Sequence, residues 1–286
     1  MNNKPTPLIA AADIKSQTNR PDVVFVDARG GDDAFARYLS GHLAGALFLD
    51  LESELSARGA DAKQGGRHPL PDPHAFGRLL GRRGITPSTY IIAYDDKSGA
   101  NAAARFWWMM KAVGHRNIQV IDGGLAAIYE AGLPLSRERS PEGNPTNPYP
   151  VTDWKLPMAD LTRVDAARSA NDALVIDVRE HYRYVGESEP IDLVAGHIPG
   201  AINVPYTSNL QANGKFRSPE VLAAQYKEAM GRREIKNVIV HCGSGVTACH
   251  TLLAIEVAGL PAPSLYVGSW SEWSRNEKPI ARGENP

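Results

Sequence analysis

The chain has 286 residues, room for one large domain or two of ordinary size. Hydrophobic residues make up 43% and charged residues 22%, a globular composition that excludes the disordered and fibrous classes. Thirty-one Lys and Arg against thirty-two Asp and Glu leave a net charge of −1, without the basic excess that general nucleic-acid or membrane-surface binding needs.

Only two cysteines occur, Cys242 and Cys249, so no disulfide framework is expected. The N-terminus has no apolar signal core, and no apolar run reaches the 18 residues of a membrane span. The most hydrophobic window, Phe106 to Met110, is bracketed by Arg105 and Lys111. These features predict a soluble cytoplasmic protein, in a reducing compartment, with neither membrane nor nucleic acid as a partner.

Read along the chain, one unit is written twice. Val23-Val24-Phe25-Val26-Asp27-Ala28-Arg29 returns as Leu174-Val175-Ile176-Asp177-Val178-Arg179, and Gly41-His42-Leu43-Ala44-Gly45-Ala46 as Gly196-His197-Ile198-Pro199-Gly200-Ala201. Tyr90-Ile91-Ile92-Ala93-Tyr94-Asp95 lines up with Asn237-Val238-Ile239-Val240-His241-Cys242, and Val120-Ile121-Asp122-Gly123-Gly124 with Leu265-Tyr266-Val267-Gly268-Ser269. The offsets are 150, 155, 147 and 145, in one order, which a duplication explains.

Buried parallel strands are predicted over 23–26, 90–94 and 118–121, then over 174–176, 238–241 and 265–267, because these runs are apolar on both faces. Helices are predicted over 102–113 and 247–258, each stopped by a glycine, Gly114 and Gly259. Strand–helix alternation makes each half an α/β sandwich around a mainly parallel sheet. Five prolines between Pro141 and Pro157 predict an extended linker over 141–157, with domains at 1–140 and 158–286.

The duplication acts as an internal control. Asp27 and Asp177, His42 and His197, and Arg29 and Arg179 occur in both halves and are read as scaffold. The symmetry breaks where Asp95 faces Cys242. Cys242 follows a buried strand and opens Cys242-Gly243-Ser244-Gly245-Val246-Thr247-Ala248, a glycine-bearing turn into a helix. Such a turn converges backbone N–H groups on one point and adds the helix N-terminal dipole, a setting that favours a nucleophilic thiolate. Cys249 reads as a small core residue, and the Cys and His spacing lacks the paired ligands of a zinc site, so no metal and no cofactor are expected. A cysteine-dependent phosphatase would need an arginine at residue 248, where Ala248 stands, which leaves sulfur transfer through a persulfide.

Asp177-Val178-Arg179, Gly196-His197-Ile198-Pro199-Gly200-Ala201, the Cys242 loop and Gly268-Ser269-Trp270-Ser271-Glu272-Trp273 together resemble the tandem-domain rhodaneses over almost the whole chain. In the first half, Tyr94-Asp95 and Ala104-Arg105-Phe106-Trp107-Trp108-Met109 resemble that family's inactive domain. The resemblance implies two rhodanese-like domains, each a mainly parallel sheet flanked by helices, with the active site in the C-terminal one. An uncharged Cys-Gly-Ser-Gly-Val-Thr loop resembles the 3-mercaptopyruvate sulfurtransferases, and the loop itself has no fixed charge for thiosulfate.

The resemblance further implies a proton relay of Ser244, His68 and Glu52 beside Cys242, with Gly243, Gly245, Val246 and Thr247 as the loop that holds the substrate. Arg183 matches a family arginine that faces the donor's anionic group. A second such arginine is implied just after a Glu-Pro step, where this chain reads Glu189-Pro190-Ile191-Asp192-Leu193. The expected donor is a small molecule, 3-mercaptopyruvate, and the acceptor a thiol, a thioredoxin-like reductant or cyanide. The alternatives are a thiosulfate:cyanide sulfurtransferase and a catalytically silent interaction module, whose usual mark, loss of the cysteine, is absent.

Overall fold

The computed structural model describes residues 6–17, 20–57 and 61–286. Two compact units emerge. One comprises the residues up to 57 with 71–155 and 212–215; the other comprises 156–211, 216–286 and the described part of 58–70.

The first unit contains β1 (Leu8–Ala10), β2 (Val23–Arg29), α1 (Ala34–Ser40), β3 (His42–Leu43), β4 (Leu47–Asp50), α2 (Pro73–Arg82), β5 (Tyr90–Tyr94), α3 (Ala102–Ala112), β6 (Ile118–Asp122), α4 (Gly124–Glu130) and β7 (Leu135–Ser136). The second contains β8 (Met158–Ala159), α5 (Leu161–Ala167), β9 (Leu174–Asp177), α6 (His181–Tyr184), β10 (Ile202–Asn203), α7 (Pro219–Met230), β11 (Val238–His241), α8 (Thr247–Val257), β12 (Ser264–Tyr266) and α9 (Ser269–Trp273).

Each unit has a five-stranded, all-parallel sheet, in the order β1-β6-β5-β2-β4 and β8-β12-β11-β9-β10. Corresponding strands occupy corresponding places, so the repeat seen in the sequence is a repeat of topology. The central strands β5 and β11 are buried along nearly their whole length, as their unbroken apolar runs require. The helices that follow them, α3 and α8, are buried almost all round, which accounts for the apolar window at Phe106 to Met110. Gly114 and Gly259 follow these helices at φ +88° and +70°, left-handed positions that favour glycine.

The residues common to both copies pin loops to strands. Arg29 bridges the carboxylate of Asp27 (2.6 Å) and the carbonyl of Gly41 (2.9 Å), and Arg179 reaches Asp177 (2.5 Å) and the carbonyl of Gly196 (2.6 Å). His42 stacks on Tyr38 at 3.7 Å and His197 on Tyr184 at 3.8 Å, each bonded through Nδ1 to that tyrosine's carbonyl. All four His and Arg side chains are buried, which is the scaffold role their duplication implies.

Two segments depart from the boundaries read in the sequence. Residues 61–70, placed there in the first half, pack with the second unit. The proline-rich stretch forms neither strand nor helix, and 141–155 packs within the first unit along α2. The cause is a face without side chains. Gly77 and Gly81 accept backbone bonds from Tyr149 (2.9 Å) and Thr146 (2.8 Å), and a Cβ on Gly81 would lie 2.7 Å from the Asn147 carbonyl oxygen. Alanine is ordinarily the better helix former. Here Gly81→Ala should instead destabilise by about 1–3 kcal/mol, because the strap's backbone must shift. Thermal melting should show a lower Tm, and limited proteolysis should show faster cleavage near residue 147.

Candidate functional site

Cys242 leaves the carboxyl end of β11, the place where parallel sheets present ligand sites. Its side chain is buried, with the residue only 2% exposed. Val246 caps α8 and Thr247 opens it, so the first N–H groups of that helix, which have no intrahelical acceptor, gather beside the thiol's loop. The loop must turn back against β12. Gly245 does so at φ +75°, where a Cβ would lie 2.4 Å from the Val267 carbonyl oxygen.

The first unit shows what this turn can hold. Asp95, the counterpart of Cys242, is fully buried, and its carboxylate accepts four backbone N–H bonds: Lys97 (2.9 Å), Gly99 (2.8 Å), Asn101 (3.0 Å) and Ala103 (3.2 Å). Burial pushes its carboxyl pKa up, and the four donors pull against that rise. The chain's own anion thus occupies the cradle in one copy, and a cysteine stands at its entrance in the other.

Ser269 was not foreseen from the sequence. It sits at φ +54°, where its counterpart Gly124 has φ +58°. The conformation is costly for a residue with a side chain, and the side chain is used: Ser269 Oγ accepts the Cys242 N–H (3.1 Å) and donates to the Tyr266 carbonyl (2.8 Å). The pairing of a serine with a glycine at equivalent left-handed positions was the available signal.

The segment 61–70 docks on the turn that begins α9. Gly65 N–H donates to Glu272 Oε1 (2.7 Å), and Arg67 N–H to Ser271 Oγ (3.0 Å). This brings His68 to the Cys242 loop, with Nδ1 hydrogen-bonded to Ser244 Oγ at 2.7 Å. Ser244 is itself 6% exposed. Of the predicted relay, the structure therefore joins Ser244 and His68. Glu52 lies in the turn after β4, in the first unit.

Arg183, on α6, is buried and donates to both oxygens of Glu189, from Nε (3.1 Å) and Nη2 (2.7 Å). Burial works against its charge, and Glu189 and Glu180 outweigh that, so its pKa is raised. Burial likewise opposes the charge of Glu189, and Arg183 and backbone N–H bonds hold its pKa below the usual value. Asp192 is buried between Arg67, Arg183 (3.7 Å) and Arg275 (3.0 Å). A Cβ on Gly243 would sit 3.4 Å from Nη2 of Arg67 and 3.4 Å from Nη2 of Arg183, so both guanidinium groups flank the residue next to the thiol. The sequence reading missed Arg67, Asp192 and Arg275, and the Arg67-His68 adjacency was the signal.

Cys249, in α8, is fully buried and its Sγ contacts the Gly245 carbonyl at 3.3 Å. His241, before the thiol, is held neutral by burial, which lowers its pKa against the pull of Asp177. Among the described residues no group of three His, Cys, Asp or Glu is placed to hold a metal ion, and no helix is long and apolar enough to cross a membrane.

The family model for the rhodanese-like domain matches residues 10–131 and again 160–276. A Pseudomonas aeruginosa protein named as a probable 3-mercaptopyruvate sulfurtransferase is 38% identical over 97% of this chain and 98% of its own length. The thiosulfate sulfurtransferase of Rattus norvegicus is 32% identical over 95% of this chain and 92% of its own. The solved structure of a 3-mercaptopyruvate sulfurtransferase from Escherichia coli superimposes with a TM-score of 0.76 at 31% identity, covering 94% of this chain and all of that one. With two matched domains, the same sheet order in both, and relatives aligned from end to end, the chain belongs to the rhodanese family.

Proposed function

We propose that the chain is a sulfurtransferase that takes sulfane sulfur from 3-mercaptopyruvate onto Cys242 and passes it to a thiol, a thioredoxin-like reductant or cyanide. The observation that carries the donor choice is the 2.7 Å bond between His68 and Ser244 on the cysteine loop. A donor whose carbon leaving group must be protonated needs such a pair, and thiosulfate does not.

In the first half-reaction the Cys242 thiolate attacks the donor's sulfur. An S–S bond forms, the C–S bond breaks, and its electron pair remains on carbon as the enolate of pyruvate. Ser244 and His68 deliver a proton to that carbon, and pyruvate leaves. The acid of this relay is assigned to Glu52 on the family resemblance. In the second half-reaction an acceptor thiolate or cyanide attacks the outer sulfur, and Cys242 departs as the thiolate. Gly243, Gly245, Val246 and Thr247 supply the backbone that surrounds the persulfide, by analogy with the four N–H groups on Asp95. Arg183 orients the donor's carboxylate. Two buried free cysteines, one of them the nucleophile, accord with a reducing, cytoplasmic setting.

Treatment with 3-mercaptopyruvate in the absence of acceptor should add about 32 Da, one sulfur atom, to the intact protein. Cys242→Ser should lose both this adduct and turnover, and Cys249→Ser should keep them. An adduct that persists in Cys242→Ser would place the nucleophile elsewhere.

The two donors separate the roles of the relay. His68→Gln and Ser244→Ala should each lower kcat with 3-mercaptopyruvate by roughly 10²- to 10⁴-fold, the range of a positioned general acid. Thiosulfate turnover, whose leaving sulfite needs no proton on carbon, should fall far less. Equal losses with both donors, or a wild type whose kcat/KM is much higher with thiosulfate, would make thiosulfate the substrate.

A further inference from the structure

Both units carry a pair of arginines bridged by one carboxylate. Arg37 and Arg183 are counterparts, since each precedes the tyrosine, Tyr38 or Tyr184, that stacks on the duplicated histidine and donates to the carbonyl of Ala46 (2.9 Å) or Ala201 (2.7 Å). In the first unit the carboxylate of Asp96 is bound by Arg37 and lies 3.6 Å from Nη1 of Arg29. In the second, Glu189 accepts from Arg183 Nε (3.1 Å) and Nη2 (2.7 Å), and from Nη1 of Arg179 (3.1 Å). The same nitrogen of the scaffold arginine is met in each copy, by carboxylates of different origin. Asp96 follows Asp95 in the turn, at the place that Gly243 takes after Cys242. Glu189 comes from the stretch between the tyrosine and the Gly-His step, two residues long in the first copy (39–40) and eleven in the second (185–195). Its side chain is 2% exposed, and the N–H groups of Ile191 and Asp192 (3.1 Å each) complete its bonds.

We propose that Glu189 is a positioning residue for Arg183: it makes from the longer stretch the bridge that Asp96 makes from the turn, and so fixes the arginine while the position over Gly243 stays open to the donor's carboxylate. Either copy needs a bridge, because Arg29, Arg179 and Arg183 are buried and a buried charge left unpaired is costly. A bridge that starts from the turn stands over the turn and occupies the arginine there. A bridge that starts from 185–195 does not. Nη2 of Arg183 has two N–H bonds, of which Glu189 Oε1 takes one, and it lies 3.4 Å from where a Gly243 Cβ would be. Asp96 is thus the first unit's own stand-in for the anion that the second unit admits. The proposal rests on the donor reading above, because that anion is the donor's carboxylate, whereas the exchange of bridges between the copies does not depend on it.

Two measurements on the full chain test this. The first compares 3-mercaptopyruvate with mercaptoacetone, which carries a methyl group in place of the carboxylate. Glu189→Gln should raise KM for 3-mercaptopyruvate roughly 10-fold, the effect of one misdirected charge-assisted contact, with kcat changed little. Mercaptoacetone kcat/KM should fall far less. Glu189→Asp, which keeps the charge and shortens the reach, should show the same split in smaller measure, and it serves if the glutamine variant does not fold. Equal losses with both donors, a loss confined to kcat, or an unchanged KM would make Glu189 a purely structural partner and overturn the proposal.

The second measurement moves the bridge back to the turn. Gly243→Asp puts a carboxylate where Asp96 stands in the first unit, and its Cβ would meet the side-chain ends of Arg183 and Arg67 at 3.4 Å. It should lower Tm less in the Glu189→Gln background than in wild type, because there it restores a bridging carboxylate. Turnover of 3-mercaptopyruvate should be lost in both backgrounds. Equal falls in Tm, or turnover that survives Gly243→Asp, would overturn the equivalence of Glu189 with Asp96 and with it the proposal. A wild type that forms persulfide from thiosulfate but not from 3-mercaptopyruvate would overturn the donor reading instead, and the Tm comparison would still decide the exchange of bridges.

Discussion

In both units the backbone leaving the central strand must turn at once into a buried helix whose first N–H groups have no acceptor within the helix. Buried donors left unpaired are costly, about 1–3 kcal/mol each, so the turn has to receive something. In the first unit it receives the Asp95 carboxylate, with four N–H bonds closing around it. That unit is thereby complete as a folded object. In the second unit the residue at the same place is Cys242, whose side chain offers one sulfur where the aspartate offers two oxygens. The same architecture thus carries an internal carboxylate in one copy and a thiol in the other.

The consequence extends to the neighbouring turn. In each unit the carbonyl of this residue accepts the N–H of the helix after the next strand, Leu125 in one copy and Trp270 in the other, at 2.9 and 3.0 Å. The residue before that donor must be left-handed, and Gly124 adopts φ +58°. The second copy puts Ser269 there, at a conformational cost of about 1–3 kcal/mol. The serine hydroxyl then satisfies the Cys242 amide, a buried donor of the residue that carries the thiol. The strain fixes the backbone from which the thiol projects.

Much of this was legible in the sequence, for identifiable reasons. The apolar runs at 90–94 and 238–241 fell on the strands to the residue, because central parallel strands are buried on both faces and carry no competing signal. The edge strands β8 and β10, two residues each, left no periodicity to read. The break between Asp95 and Cys242 singled out this turn, since a duplicated chain reveals its divergence directly. Arg67 and Asp192 were opaque, because their meaning lies in a contact between segments 125 positions apart. The packing of 141–155 on α2 was hidden for a related reason: glycine at 77 and 81 reads as a weak helix until the strap covering it is known.

The Cys242 loop is built of amides, two glycines and two hydroxyls, those of Ser244 and Thr247. It contains no side chain with a fixed charge or a ring nitrogen. Such side chains reach it from residues adjacent in sequence, Arg67 and His68, on a segment that grips the α9 turn. Gly66 makes that grip possible: at φ +75° its Cα approaches the Gly268 carbonyl so closely that a Cβ would lie 2.3 Å from the oxygen. The docked segment therefore brings two features to the loop together, the His68–Ser244 hydrogen bond and the Arg67 guanidinium above Gly243. Net charge near zero over the whole molecule is matched locally, since Asp192 and Glu189 stand against the arginines they orient. The charge beside the turn comes from side chains outside it, and the backbone turn beneath them stays common to both copies of the fold.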